Sequence, residues 1–286
     1  TSGASYFTAV RVNGVEIAVR KKGPASEIDF YRDSPSQIAD QTDTGVGGEV
    51  VGNYATWNPL FGENQSLSNG NLKAESSTTG YAIIASTIAM KSGKWYMEYT
   101  YTPNNGQPYI SWGISQTNRD GTAGSGVTDT AEDKGFKAWD SGFYSQSAGS
   151  NVHDYSSSVS SGDIISLAFD ADAGKLWVAK NGTWMTNASG TGNPATGANP
   201  DYSSLTYSGG YYFMAGPYYT NGSTLEANFG QRAFAYTAPS GYKALCTANL
   251  PDPTIADGST AFDSKLYSGT GSSQSITGLG FSPDLV

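Results

Sequence analysis

Apolar residues recur at every second position in several short runs of this chain, the period of a strand with one buried face. In "GKWYMEYTYTP" (93–103), Trp95, Met97, Tyr99 and Tyr101 fall on one face and Tyr96, Glu98 and Thr100 on the other. "YISWGIS" (109–115) is a short apolar strand with Gly113 inside it. "SGDIISLAFDADAGKLWVAKNGTW" (161–184) reads as a hairpin. Ile165, Leu167 and Phe169 alternate toward one face, Asp170, Asp172 and Gly174 occupy the turn, and Trp177 and Ala179 answer on the return strand. "GYYFMAGPYY" (210–219) and "TLEANFGQ" (224–231) supply further strands, and no stretch of 12 residues carries a 3.6-residue apolar stripe. Short strands separated by Gly-rich turns predict an all-β antiparallel sandwich.

The flanks differ from this centre. "YFTAVRVNGVEIAV" (6–19) sets Asn13-Gly14 between alternating β-branched residues, a hairpin signal because Asn-Gly accepts the positive φ angles of a type I′ turn. Residues 25–50 are polar and read as a linker or extended arm. Two further polar stretches, 116–160 and 186–210, read as long loops, the first holding short strands such as "GFKAW" (135–139). Loops beyond about 12–15 residues are usually functional or disordered. The expected organisation is an N-terminal hairpin and linker over 1–49 for attachment or oligomerisation, a sandwich over 50–245, and the truncated start of a further β-rich domain over 246–286.

Charge narrows the function. With 25 Asp and Glu against 16 Lys and Arg, the net charge is -9. A nucleic-acid grip needs a basic stripe to displace counterions, so nucleic acid is not an expected partner. No run approaches the roughly 18 consecutive apolar residues of a membrane helix, so membrane insertion is not expected. Only 14% of residues are charged, against about 25% in typical domains. The 36 Gly and 19 Tyr therefore point to a turn-rich protein with tyrosine-lined faces. The single cysteine, Cys246, allows no internal disulfide.

The 161–184 stretch resembles the signature hairpin of the SPRY domain, in which Gly-Asp opens a strand and a Leu-Trp strand ends in Lys-Asn-Gly. "GKWYMEYTY" resembles that family's early Trp-Tyr-x-Glu strand, "ISWGIS" the glycine-containing strand after it, and "EANFGQRAFAYTAPSGYKAL" its closing strand and tail. The resemblance spans about residues 50–245 and implies a concanavalin A-like β-sandwich. "NYATWNPL" before it and "LPDPTI…FDSKLYSGTGSSQSITGLGFSPDLV" after it resemble flanks in SPRY-containing structural proteins of tailed bacteriophages, in which the chain continues beyond "SPDLV" into a further domain.

Candidate chemistry is sparse. An EF-hand loop opening at Asp170 would need Asp or Asn at 174, Gly at 175 and an acid at 181; the chain has Gly174, Lys175 and Asn181, so a turn is expected there and no metal. Glycoside hydrolysis needs two carboxyls about 5–10 Å apart, whereas Glu98 and Glu226 each stand alone in a strand pattern. His153 is the only histidine, and its neighbour Asp154 points the other way on an extended chain. No catalytic residue and no cofactor is expected. Tyrosines in or beside polar loops, Tyr144, Tyr155, Tyr202 and Tyr207, are the candidate ligand contacts, because tyrosine joins apolar area to a hydroxyl.

The expectation is a virion structural protein, a tail-fibre or spike-like adhesion component on the tail or another external appendage. Its partners would be a host cell-surface glycan or protein and neighbouring virion proteins, and it would form a homo-oligomer such as a trimer. The alternatives are a glycan-hydrolysing enzyme of the concanavalin A-like superfamily and an intracellular SPRY protein-interaction module.

Overall fold

The alternation read along the chain becomes ladder pairing in the computed structural model, which describes residues 9–12, 15–19, 42–62, 64–77, 82–102, 109–117, 127, 130–139, 142–218, 223–251, 262 and 264–282. Near the N-terminus, β1 (Ala9–Val12) and β2 (Val15–Val19) pair antiparallel with Val12 opposite Val15, the spacing a two-residue Asn-Gly connection sets. The sandwich strands follow. They are β3 (Gln65–Ser68), β4 (Lys73–Ser76), β5 (Ile84–Ala85), β6 (Lys94–Thr102), β7 (Ile110–Gln116), β8 (Asp133–Trp139), β9 (Gly142–Ser147) and β10 (Ser150–Asp154), then β11 (Ile164–Asp170), β12 (Lys175–Lys180) and β13 (Thr183–Trp184). A small ribbon, β14 (Thr186–Asn187) and β15 (Gly190–Thr191), precedes β16 (Tyr211–Pro217), β17 (Thr224–Asn228) and β18 (Lys243–Ala244).

Among the described residues these strands build two layers. One is a six-stranded sheet in the order β10-β9-β8-β7-β16-β5. The other runs β13-β12-β11-β6-β17-β4-β3, with β18 lying parallel against β6 and every other pairing antiparallel. The fold is an all-β antiparallel sandwich. Its main core lies between the layers. Trp95, Met97, Tyr99 and Tyr101 from β6 and Ile165, Leu167 and Phe169 from β11 meet Trp112 and Ile114 from β7 and Phe136 from β8. Each such fully buried side chain contributes about 1.5–3 kcal/mol through removal from water.

The β6 face assignment holds: Tyr96 and Glu98 lie on the opposite side from the Trp95 row. The return strand of the hairpin differs from expectation. Leu176 sits opposite Phe169 and Val178 opposite Leu167, so these two complete the main core. Trp177 stands opposite Ala168 and points to the other side of the sheet. There it packs with Tyr96, Phe234, Ala238 and Tyr242 under the segment that leads to β18. Glu98 is buried beneath the same segment. It accepts the backbone N–H groups of Ala235 (2.8 Å) and Tyr236 (2.9 Å) and the Tyr96 hydroxyl (3.0 Å). Burial pushes its carboxyl up, against the pull of those donors.

The hairpin turn is held by its acids. Asp170, buried at the end of β11, pairs with Lys94 (3.0 Å) and accepts the Ala173 N–H (2.9 Å). Asp172 accepts the Gly93 N–H (3.0 Å). Gly174 has φ +61°, and a Cβ there would lie 2.6 Å from the Leu205 carbonyl oxygen, so this position takes glycine on two counts.

In both stretches read as long loops, the described residues are built into the fold. Within 116–160, β8, β9 and β10 form a meander. The 186–210 stretch is fastened along its length to β12. Trp177 Nε1 donates to Ala198 O (2.8 Å), Lys175 Nζ to Gly197 O (2.9 Å), and Leu176 N to Tyr202 O (3.0 Å). Leu205 and Tyr202 are buried in the main core. Deleting 186–206 should therefore abolish the cooperative thermal transition in calorimetry; a deletion variant melting near the parent would contradict this packing.

The compact unit extends past both expected borders, from the N-terminal region to Leu250, with Pro251–Val286 separate. Gly48 N donates to Gly230 O (2.7 Å), and Asp43 Oδ2 accepts from Ala244 N and Asn249 Nδ2, both at 2.8 Å. Residues 42–49, expected as linker, thus belong to the fold. Cys246 is buried inside it, its backbone paired antiparallel with that of Tyr54, and burial pushes its thiol up. The second unit shows no strand among its described residues, and Phe262, Leu266 and Tyr267 are exposed there.

Candidate functional site

The four tyrosines proposed as ligand contacts part company. Tyr155 and Tyr202 are core residues, 9% and 8% exposed. The Tyr202 hydroxyl donates toward the carbonyls of Gly135 (2.5 Å) and Gln146 (2.6 Å), which ties the 186–210 segment to the meander. The Tyr155 hydroxyl donates to Asp201 Oδ1 (2.6 Å). Both side chains lie inward with their hydroxyls engaged, so neither offers a face to a ligand. This corrects the sequence reading for these two.

Asp201 anchors a polar knot at that point. Its Oδ2 accepts the Val178 N–H (3.0 Å), and Oδ1 also receives Asn187 Nδ2 (3.3 Å). Burial pushes its carboxyl up to about 6 despite these donors. Such a value would suit a general acid at neutral pH, yet Asp201 lines neither cavity described below. His153 lies on β10 rather than in a loop, its ring 4.9 Å from that of Tyr155 and its Nε2 3.2 Å from Thr186 O. Asp154 turns away to the Ser156 N–H (2.8 Å), so the two form no dyad.

Tyr144 and Tyr207 line separate cavities. Tyr207 borders a cleft of about 380 Å³ with Gln116, Glu132, Lys134 and Tyr211. Lys134 donates to the carbonyls of Ala131 (2.6 Å) and Asp133 (2.9 Å), and burial lowers its ammonium's pKa. Tyr144 borders a cavity of about 210 Å³ with Lys137, Trp139, Gln146 and Asn151.

The second cavity follows from strand periodicity. On β8, Phe136 and Ala138 point into the core, so Lys137 and Trp139 point out. On β9, Phe143 points in, so Tyr144 and Gln146 point out, and Lys137 sits opposite Tyr144 in the ladder. Asn151 of β10 pairs with Gln146, whose Nε2 donates to Asn151 Oδ1. The Lys137 ammonium lies 4.6 Å from the centre of the Trp139 ring, a cation–π arrangement. Trp139 continues into an aromatic row with Tyr109 (4.5 Å) and Tyr218 (5.2 Å). The row borders a small apolar cluster of Ile83, Ala85, Val127 and Met214 on the outer side of the sheet.

The sequence reading missed Lys137, Trp139, Gln146 and Asn151. The signal was present as Lys-x-Trp in 137–139 and Tyr-x-Gln in 144–146, each a same-face pair once both runs are read as strands.

No protein-family model and no curated protein matches the chain. Solved SPRY domains are among its structural neighbours. The SPRY domain of human HERC1 matches at 16% identity and TM-score 0.45, covering 60% of this chain and 96% of that domain. The PSpry domain of TRIM65 matches at 12% identity and TM-score 0.46, covering 61% of this chain and 89% of that one.

Proposed function

We propose that this sandwich is a recognition module that holds a partner against the outer face of its six-stranded sheet and performs no chemistry on it. The carrying observation is the cavity around Tyr144. It is an open recess on a rigid sheet, lined by an aromatic ring, a tryptophan, a lysine and two carboxamides. The strong carboxyls of the fold are spent elsewhere: Glu98, Asp170 and Asp201 each hold backbone N–H groups in place. Binding without chemistry is also what the SPRY resemblance of the sequence implies, in keeping with the protein-interaction alternative. The setting we infer, an external appendage of a virion, rests on the resemblance of the "NYATWNPL" and C-terminal runs to bacteriophage structural proteins; neither neighbour above is a virion protein.

The test is attachment of the fluorescently labelled protein to intact cells across a panel of bacterial strains. At least one strain should bind it. Tyr144→Ala and Lys137→Ala should lower that signal about tenfold while melting within a few degrees of the parent. Attachment unchanged in both folded variants would remove this face from the function.

A further inference from the structure

We infer that the Tyr144 cavity is a saccharide subsite, holding one pyranose ring of a glycan. The inference rests on the recognition reading above and names its ligand class.

The argument starts from Gly142. A Cβ built there would fall 2.0 Å from the Tyr144 hydroxyl oxygen, 2.2 Å from Cζ and 2.4 Å from Cε2. The tyrosine ring therefore lies across the bare Cα of Gly142, two residues back on β9, in space that only glycine leaves open. That arrangement fixes one side of the ring on the backbone and turns the half-buried remainder toward the cavity. A pre-set aromatic surface costs little entropy when a ligand stacks on it.

The rest of the lining selects the ligand. Gln146 and Asn151 each carry a carboxamide able to donate and accept, and the Lys137 ammonium only donates. An apolar peptide side chain placed on Tyr144 would take water away from this polar lining and return nothing, whereas hydroxyls add to the bonds that the carboxamides and the ammonium already make, as between Gln146 and Asn151. A pyranose suits both halves of the site, with an apolar C–H face for the ring and hydroxyls at its rim for the amides and the ammonium. At about 210 Å³, the cavity falls below the roughly 300–1,000 Å³ of pockets that enclose drug-sized ligands. It takes one sugar ring, with neighbouring sugars running along the Trp139, Tyr109 and Tyr218 row.

The experiment uses the full chain against immobilised hexose, N-acetylhexosamine and uronate oligosaccharides, with titration calorimetry on any that bind. At least one class should bind with Kd below about 1 mM. Gly142→Ala should weaken that binding at least tenfold. The three heavy atoms nearest the added methyl all belong to the Tyr144 side chain, so the ring is the first group to move. Tyr144→Ala should match it, Tyr144→Phe should stay within about threefold, and Tyr207→Ala in the other cleft should change nothing. Binding to no oligosaccharide, or binding that survives both Gly142→Ala and Tyr144→Ala, overturns the inference. Cell attachment separates the two levels. Tyr144-dependent attachment that resists periodate and is lost to protease overturns the saccharide and keeps the recognition face. Attachment independent of Tyr144 overturns both.

Discussion

Trp177→Ala should destabilise the sandwich by about 3–5 kcal/mol, the usual cost of truncating a buried large aromatic. Trp177 is fully buried, but on the side of the eight-stranded sheet away from the main core. Its ring meets Tyr242 edge-on at 6.4 Å, and its indole N–H is the donor for Ala198 O. The substitution thus opens a cavity under the closing segment and removes one anchor of the 186–210 stretch. Urea denaturation followed by circular dichroism would measure it. Trp177→Phe, which keeps ring packing and drops the N–H, should lose only part of that stability. A Trp177→Ala protein with the parent's midpoint would show that the second cluster carries no weight.

Asp201 should give the domain an unusual response to pH. Its carboxyl sits at about 6 in the fold against an ordinary 3.8, so the folded state holds this proton more tightly than the unfolded chain does. The stability it contributes is fully present below about pH 4 and is lost as pH rises through about 6. Each pH unit in that window is worth about 1.4 kcal/mol, which puts the loss at about 3 kcal/mol. Asp163, whose carboxyl is held below its usual range, works in the opposite direction, so the whole protein's profile is a sum. The difference between parent and Asp201→Asn isolates the one group. The variant should gain on the parent between pH 4.5 and pH 7.5, measured as the change in melting temperature. Asp201→Ala should be destabilised at both pH values by about 2–5 kcal/mol, because the Val178 N–H and the Tyr155 hydroxyl lose their acceptor. A parent-minus-variant difference that is flat with pH would mean Asp201 titrates normally.

Period-2 alternation carried the fold where one face of a strand is apolar and the other polar. The run from Trp95 to Tyr101 is the clearest instance, since Glu98 and Thr100 mark the opposite face. It failed at β12 because both faces there are buried. Leu176, Trp177, Val178 and Ala179 are all inside, and only the register set by Asp170 opposite Lys175 decides which pair meets Phe169. Beyond the "GFKAW" run, the β8–β10 meander was hidden for a different reason. Its sequence is short of large apolar residues, and buried Ser145 and buried Gln146 fill inward or shielded places that a hydrophobicity pattern does not register. The candidate site was half legible. Tyrosine has an apolar body and a polar tip, so composition cannot separate Tyr144 on the surface from Tyr202 in the core. That distinction came from the strand parity of the meander, and with it came Lys137, Trp139, Gln146 and Asn151.

The side chain of Asp43 gathers the two ends of the sandwich, since one of its oxygens holds both Ala244 and Asn249. A domain that begins and finishes at one spot behaves as a plug-in unit. It can be spliced into an exposed turn of another polypeptide without prising that host apart. Its own sequence can equally be rewired, with new ends opened at a surface turn such as Asn69-Gly70, whose glycine has nothing within 4 Å of an added Cβ.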